Sequence, residues 1–309
     1  MKPSTRPVDF PALRTHTAVE LLEKELPPLS MVVGRHIPAG LLLLAGDPKV
    51  GKSLLMLSLG ISVATGSSAW GELTVPHGDV LYLVLEGGER SLRSRIKAMA
   101  TEGHAPERLH LAYECLNLGD GLATQVESWL YSVEAPRLVI IDTFTAVAPE
   151  QRGVNRHQED YKALEPLGDL AKRWPDTLFV LIHHTRKAES NEVMHRISGS
   201  QGLTAATDCN AVFARKPGAK QCVLSIRPRD AEESELLLEL DQDTLQWRTI
   251  ERSELGRLDQ RRREVLEWVT GQDGSVTPKM VTEVLGGASD ANRQLLMKMA
   301  KDGQLSKPS

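Results

Sequence analysis

"LLLLAGDPKVGKSLLMLSLG", Leu41–Gly60, joins an apolar run of strand length to a second one of helical length through a charged loop. The loop holds two glycines and two lysines. A core is interrupted in this way when backbone N–H groups and a helix N-terminus must converge on one anion. Gly46 and Gly51 bracket Asp47, Pro48, Lys49 and Val50 and are followed by Lys52 and Ser53. That is the complete G-x-x-x-x-G-K-[ST] spacing, with the preceding strand and following helix that the motif requires. Lys52 can reach β and γ phosphate oxygens as a point charge, and the Ser53 hydroxyl can ligate Mg²⁺. The expected nucleotide-binding stretch runs from Gly46 through Leu54.

The 309 residues suffice for one large α/β domain and a smaller appendage. A net charge of −4 does not advertise a nucleic-acid binder, so such a contact has to come from local basic patches or an assembled channel. The three cysteines, Cys115, Cys209 and Cys222, are scattered without metal-ligand spacing, which argues against zinc or a disulfide framework and suits a reducing cytoplasm. No apolar run approaches membrane-spanning length, so a soluble protein is expected.

Residues 1–26 read as a flexible proline- and base-rich arm with a short helix, "TAVELLEKEL", capped by Thr17. Residues 27–250 alternate apolar runs ("LLLLA", "DVLYLVLE", "RLVIID", "TLFVLIHH", "NAVFAR", "QCVLSI", "ELLLEL") with helical stretches. This predicts a mostly parallel sheet buried on both faces. From Asn210 to Arg248 the strands follow one another through short turns and should extend the sheet antiparallel. Residues 256–309 read as three short helices and "GQLSK", a winged-helix-like outline. Pro278 falls in a first turn, Ser289 reads as a cap, and Ala291, Leu295 and Met299 lie on one face, leaving Asn292, Arg293 and Lys301 free to point elsewhere. Nine Lys and Arg against seven Asp and Glu make this segment only mildly basic. DNA reading and protein packing both remain open for it.

A phosphate loop needs an acid for Mg²⁺, and "LVIIDT" offers Asp142 at a strand end. Thr143 follows, so the base that activates water must come from elsewhere. Glu86 ends "DVLYLVLE", a strand expected to neighbour the phosphate-loop strand; Glu89 is an alternative across the flexible "GG". "TLFVLIHH" ends at His184, which can contact the γ-phosphate and report hydrolysis to the loop beyond, or serve structurally. That loop carries Arg186, Lys187 and Arg196, able to grip nucleic-acid phosphate or simply to be solvated. Arg227 and Arg229 alternate at a strand end and could reach a neighbouring subunit's site or pair with the adjacent acidic run; Arg215 and Lys216 are weaker candidates.

In order, "GDPKVGKS", "YLVLEGGERSLRSR", "LVIIDT", "LIHHTRK", "SGSQGLTAATD" and "IRPRD" resemble the RecA-like P-loop ATPases of the RepA and DnaB-like hexameric helicase group, from about Pro27 to Asp241. A ParA-type signature lysine would fall at Asp47, which disfavours that relative. The resemblance implies a homo-oligomeric ring with ATP at subunit interfaces, Glu86 as catalytic base, Asp142 on Mg²⁺, His184 as phosphate sensor, and Arg227 or Arg229 reaching across. The expected activity is ATP hydrolysis driving translocation on single-stranded DNA or its unwinding. The alternative is a nucleotide-switched DNA-binding or regulatory ATPase, and a small-molecule kinase is disfavoured because no second-substrate lid is visible between the motifs.

Overall fold

The computed structural model describes residues 13–100, 106–149, 156–184, 201–215, 219–250, 261–262, 264–272, 276–301 and 305. Gly40–Gly46 forms the strand β3, and its alternation explains the apolar run. Leu42 and Leu44 belong to one hydrophobic core, Leu41, Leu43 and Ala45 to another on the opposite face. Successive side chains leave a strand on opposite sides, so a strand covered on both faces must be apolar at every position.

The same split recurs in β6 (Pro136–Asp142) and β7 (Leu178–His184). Helices α2 (Lys52–Thr65) and α3 (Glu89–Met99) cover the first face. Helices α4 (Leu122–Ser132) and α6 (Arg156–Arg173), with the short α5 (Phe144–Val147), cover the second. The rest of the main sheet comprises β4 (Asp79–Val84), β5 (Leu109–Ala112), β8 (Cys209–Arg215), β9 (Cys222–Pro228), β10 (Ser234–Leu240) and β11 (Trp247–Thr249), in the nine-stranded order β11-β10-β9-β8-β3-β7-β6-β4-β5. Neighbours from β8 to β5 are parallel, and β8 through β11 pair antiparallel. The expected antiparallel extension is present.

One expectation fails. The strand leading to Glu86, β4, does not neighbour β3, because β7 and β6 lie between them. Glu86 still joins the site, since β3, β7, β6 and β4 are consecutive and end on one side. The register places Gly46 opposite His184 and Val84 opposite Asp142.

Outside the sheet core, α1 (Ala18–Leu22) is capped by Thr17 in a capping box with Glu20, and β1 (Met31–Val33) pairs with β2 (Ile37–Pro38). Near the C-terminus, residues 264–270 are helical, followed by the helices Pro278–Leu285 and Ser289–Lys301. Val265, Val281 and Met299 form their small core. Here the sequence reading of the last helix is corrected: Ala291 is exposed, while Asn292 is buried. Its amide donates to Thr282 Oγ1 and Gly286 O, and Arg261 donates to its Oδ1. A polar side chain with all of these partners can occupy an interior position that periodicity reserves for apolar residues. The wing sequence from Gly303 lies almost wholly outside the described residues, as do most of the arm, Lys216 and the loop bearing Arg186, Lys187 and Arg196. No described helix is long and apolar enough to cross a membrane.

Candidate active site

The phosphate loop leaves β3 and enters α2 through two left-handed backbone positions, Lys49 at φ 63° and Gly51 at φ 108°. Gly46 is required for space: a Cβ there would lie 2.3 Å from Phe213 O on β8. Gly51 meets Trp247 of β11 in the same way, at 3.1 Å from Cζ2, and Trp247 packs edge-on against Phe213. The loop is therefore clamped from the antiparallel half of the sheet. At the start of α2, no side chain caps the first turn and no acid sits in it. Its N–H groups and the positive end of the helix dipole fit an anion.

Lys52 is 3% exposed. Its Nζ donates to Gly46 O at 2.7 Å and Asp47 O at 3.0 Å, and lies 3.1 Å from His184 Nδ1. Burial lowers its pKa to about 8, against the opposing pull of Asp142, Asp47 and Glu86. An ammonium has only donors to offer, so His184 Nδ1 accepts and the imidazole proton resides on Nε2. Nε2 lies 3.6 Å from Glu86 Oε2, and Glu86 Oε1 accepts from Thr143 Oγ1 at 2.8 Å. Lysine, imidazole, carboxylate and hydroxyl thus form one chain of contacts across four adjacent strand ends.

Asp142 is also buried, at 3%. Its Oδ2 accepts from Tyr82 Oη at 2.8 Å, and Tyr82 Oη also reaches Ser53 O at 3.4 Å. Its Oδ1 is buried without a hydrogen-bond partner. Burial raises the Asp142 pKa, the Ser53 and Tyr82 hydroxyls act to lower it, and Glu86 adds to the rise. A buried carboxylate oxygen with no donor is costly, and a divalent cation held by Asp142 and Ser53 would satisfy it. The donor set of one carboxylate and one hydroxyl, both hard oxygens, suits such an ion.

The structure brings together Gly46–Ser53, Asp142, Glu86 and His184. Glu89 begins α3, one turn away from this chain of contacts. The two arginines stand apart from it. Arg227 lies on β9, half-exposed, with Nε 3.3 Å from Glu233 Oε2. Arg229 lies beyond the strand and donates to the carbonyls of Ala205 and Thr207, at the carboxyl end of α7 (Gln201–Ala206). Sequence reasoning missed Tyr82, Thr143, Phe213 and Trp247. For Tyr82 the signal was available, a lone hydroxyl within the apolar run Val80–Val84, which ends two residues before the predicted base.

The fold and this site define a P-loop ATPase with a RecA-like core. The chain belongs to the AAA_25 family of AAA domains, whose model matches residues 5–190, more than half of its length. Nucleotide binding with a divalent metal goes with that membership. Among solved structures, the ATPase domain of G40P superposes with a TM-score of 0.56 at 12% identity, over 69% of this chain and 85% of that one. A DnaB-like replicative helicase, described with its interactions with primase, gives 0.55 at 13% identity, over 69% of this chain and 57% of that one. These place the fold with DnaB-like helicase ATPase domains. No curated protein matches the chain in sequence.

Proposed function

We propose that the protein is an ATP-hydrolysing, oligomeric DNA helicase or translocase, a hexameric ring acting on single-stranded DNA in replication in the cytoplasm. The observation that carries this reading is the Lys52–His184–Glu86–Thr143 chain of contacts, built across four neighbouring strand ends beside the Asp142–Ser53 pair. In it, Gly46–Leu54 would hold ATP, and Ser53 and Asp142 would hold Mg²⁺, which would supply neutralisation of phosphate charge. Lys52 exchanges its loop carbonyls for phosphate oxygens. Glu86, half-exposed and held by Thr143, takes the proton of the attacking water. His184, touching both Lys52 and Glu86, senses whether the lysine holds phosphate and passes that to the loop with Arg186, Lys187 and Arg196, which grips DNA phosphate. Arg227 is better placed than Arg229 to reach a neighbour's phosphate, because its partner is one exposed glutamate rather than two carbonyls.

A second reading, a nucleotide-switched DNA-binding or regulatory ATPase without unwinding, is favoured by one contact. Lys298 of the C-terminal helix donates to Glu239 on β10 at 3.2 Å, tying the winged-helix-like segment to the ATPase sheet. Strand-displacement assays separate the two: ATP-dependent unwinding, lost in Glu86→Gln, supports the first; ATP-dependent DNA binding with no strand separation supports the second.

A further inference from the structure

Trp247 stands where the phosphate loop is clamped, yet no hydrogen bond fixes its ring. It is 3% exposed, and its indole N–H has no hydrogen-bond partner among the described residues. Its place against Gly51 and Phe213 is therefore set by packing and by the strand that carries it. That strand, β11, is three residues long and lies at the edge of the sheet beside β10. A strand so short draws its position from its neighbour and from the side-chain pairs across the register.

The pair next to Trp247 is Arg248 with Glu239 of β10. Arg248 Nη2 donates to Glu239 Oε2 at 2.7 Å, and Gln221 Nε2 donates to Oε1 at 3.4 Å. Glu239 is 8% exposed, so its carboxylate depends on such donors. A further donor comes from far along the chain: Lys298 Nζ, 3.2 Å from Oε1. Burial pushes the Glu239 carboxyl up, but Arg248 and Lys298 outweigh it and hold it below its ordinary value. The Ser289–Lys301 helix presents Lys298 from a fixed position, because Met299 beside it is fully buried with Val265 and Val281.

A continuous path thus runs from the C-terminal helices to the phosphate loop, through Lys298, Glu239, Arg248, Trp247 and Gly51. An ion pair between exposed groups contributes little, but here the acceptor is buried. Arg248 still satisfies Glu239 when Lys298 is removed, so that loss loosens β11 without unfolding the sheet.

We infer that Lys298 and Glu239 are positioning residues for nucleotide binding: the C-terminal helical unit, docked on β10, braces β11 so that Trp247 keeps the phosphate loop in shape for phosphate. By linkage, nucleotide in the loop tightens the docking by the same factor, so the unit responds to the occupancy of the loop. The inference rests on the proposed placement of ATP along Gly46–Leu54 and is independent of unwinding.

The test uses the full chain as wild type, Lys298→Ala, Lys298→Arg and Lys279→Ala, with circular dichroism verifying folding. A non-hydrolysable ATP analogue with Mg²⁺ is titrated, and KM and kcat for ATP are measured beside it. Lys298→Ala is expected to weaken analogue binding and raise KM about three- to tenfold, with kcat within about twofold. Lys298→Arg should keep the wild-type affinity. Lys279, an exposed lysine of the same unit paired with Glu283, should be replaceable without effect. The analogue should also slow amide hydrogen exchange in Ser289–Lys301 of the wild type, and not in Lys298→Ala. An affinity unchanged in Lys298→Ala, a loss confined to kcat, or a helix whose exchange ignores the analogue overturns the bracing and leaves the ATP site standing. A wild type that binds no analogue overturns both.

Discussion

His184 Nδ1 lies 3.1 Å from Lys52 Nζ, and the opposite ring nitrogen faces Glu86. The imidazole therefore stands between the lysine proposed to hold phosphate and the carboxylate proposed to activate water. Replacing it with alanine leaves both partners in place but uncouples them. His184→Ala is expected to keep nucleotide affinity within about threefold and to lower turnover at least about tenfold, with any DNA stimulation lost. Fluorescent-nucleotide titration beside a phosphate-release assay measures both; an unchanged turnover would assign the histidine a structural role.

Glu86→Gln removes the proposed base but keeps an oxygen that can accept from Thr143. Hydrolysis should fall by about 10²–10⁴-fold with nucleotide binding intact. Single-turnover kinetics measure the drop directly, and near-normal hydrolysis would transfer the role to another carboxylate, Glu89 first.

The Lys52 ammonium, lowered to about 8 by burial, gives nucleotide affinity a defined pH dependence. Below pH 8 the cation is present; above it the free protein loses the proton that phosphate needs. Affinity should weaken through pH 8 by up to about tenfold per unit, and Lys52→Ala should bind weakly with that dependence gone. Because the folded value lies below the ordinary 10.5, the unfolded chain binds more protons between the two. This lysine's cost to stability is then full below pH 8 and is relieved as pH rises toward 10.5. Calorimetric titrations at pH 7 and 9 measure the affinity change.

Asp142 and Tyr82 make opposite predictions for stability. Burial raises the Asp142 pKa, so the charged carboxylate is a cost present above that raised value and absent below the ordinary 3.8. Asp142→Asn should raise the melting temperature of the nucleotide-free protein at neutral pH, with the gain fading as pH falls toward 3.8, and should abolish metal-dependent turnover. Tyr82→Phe instead strips the carboxylate of a buried donor, at a cost of about 1–3 kcal/mol. Thermal unfolding across pH distinguishes the two signs.

Much of this site was readable because its parts are local. The loop spacing from Gly46 to Ser53 carries its own backbone chemistry, and Asp142 and His184 announce themselves as polar residues ending apolar strands. What was not readable depends on how distant segments pair. The insertion of β7 and β6 between β3 and β4 leaves no mark on any one strand. Phe213 and Trp247 clamp the loop across more than 150 residues of chain. Asn292 misled the helical pattern because its partners, Arg261, Thr282 and Gly286, come from other elements and the turn between.

The most direct test of the account is the ATPase rate with and without single-stranded DNA, with particle mass followed by light scattering in the same buffer. The account predicts a strong DNA-stimulated rate from a ring-sized particle, abolished by Lys52→Ala. A DNA-indifferent rate from a monomer or dimer would contradict it.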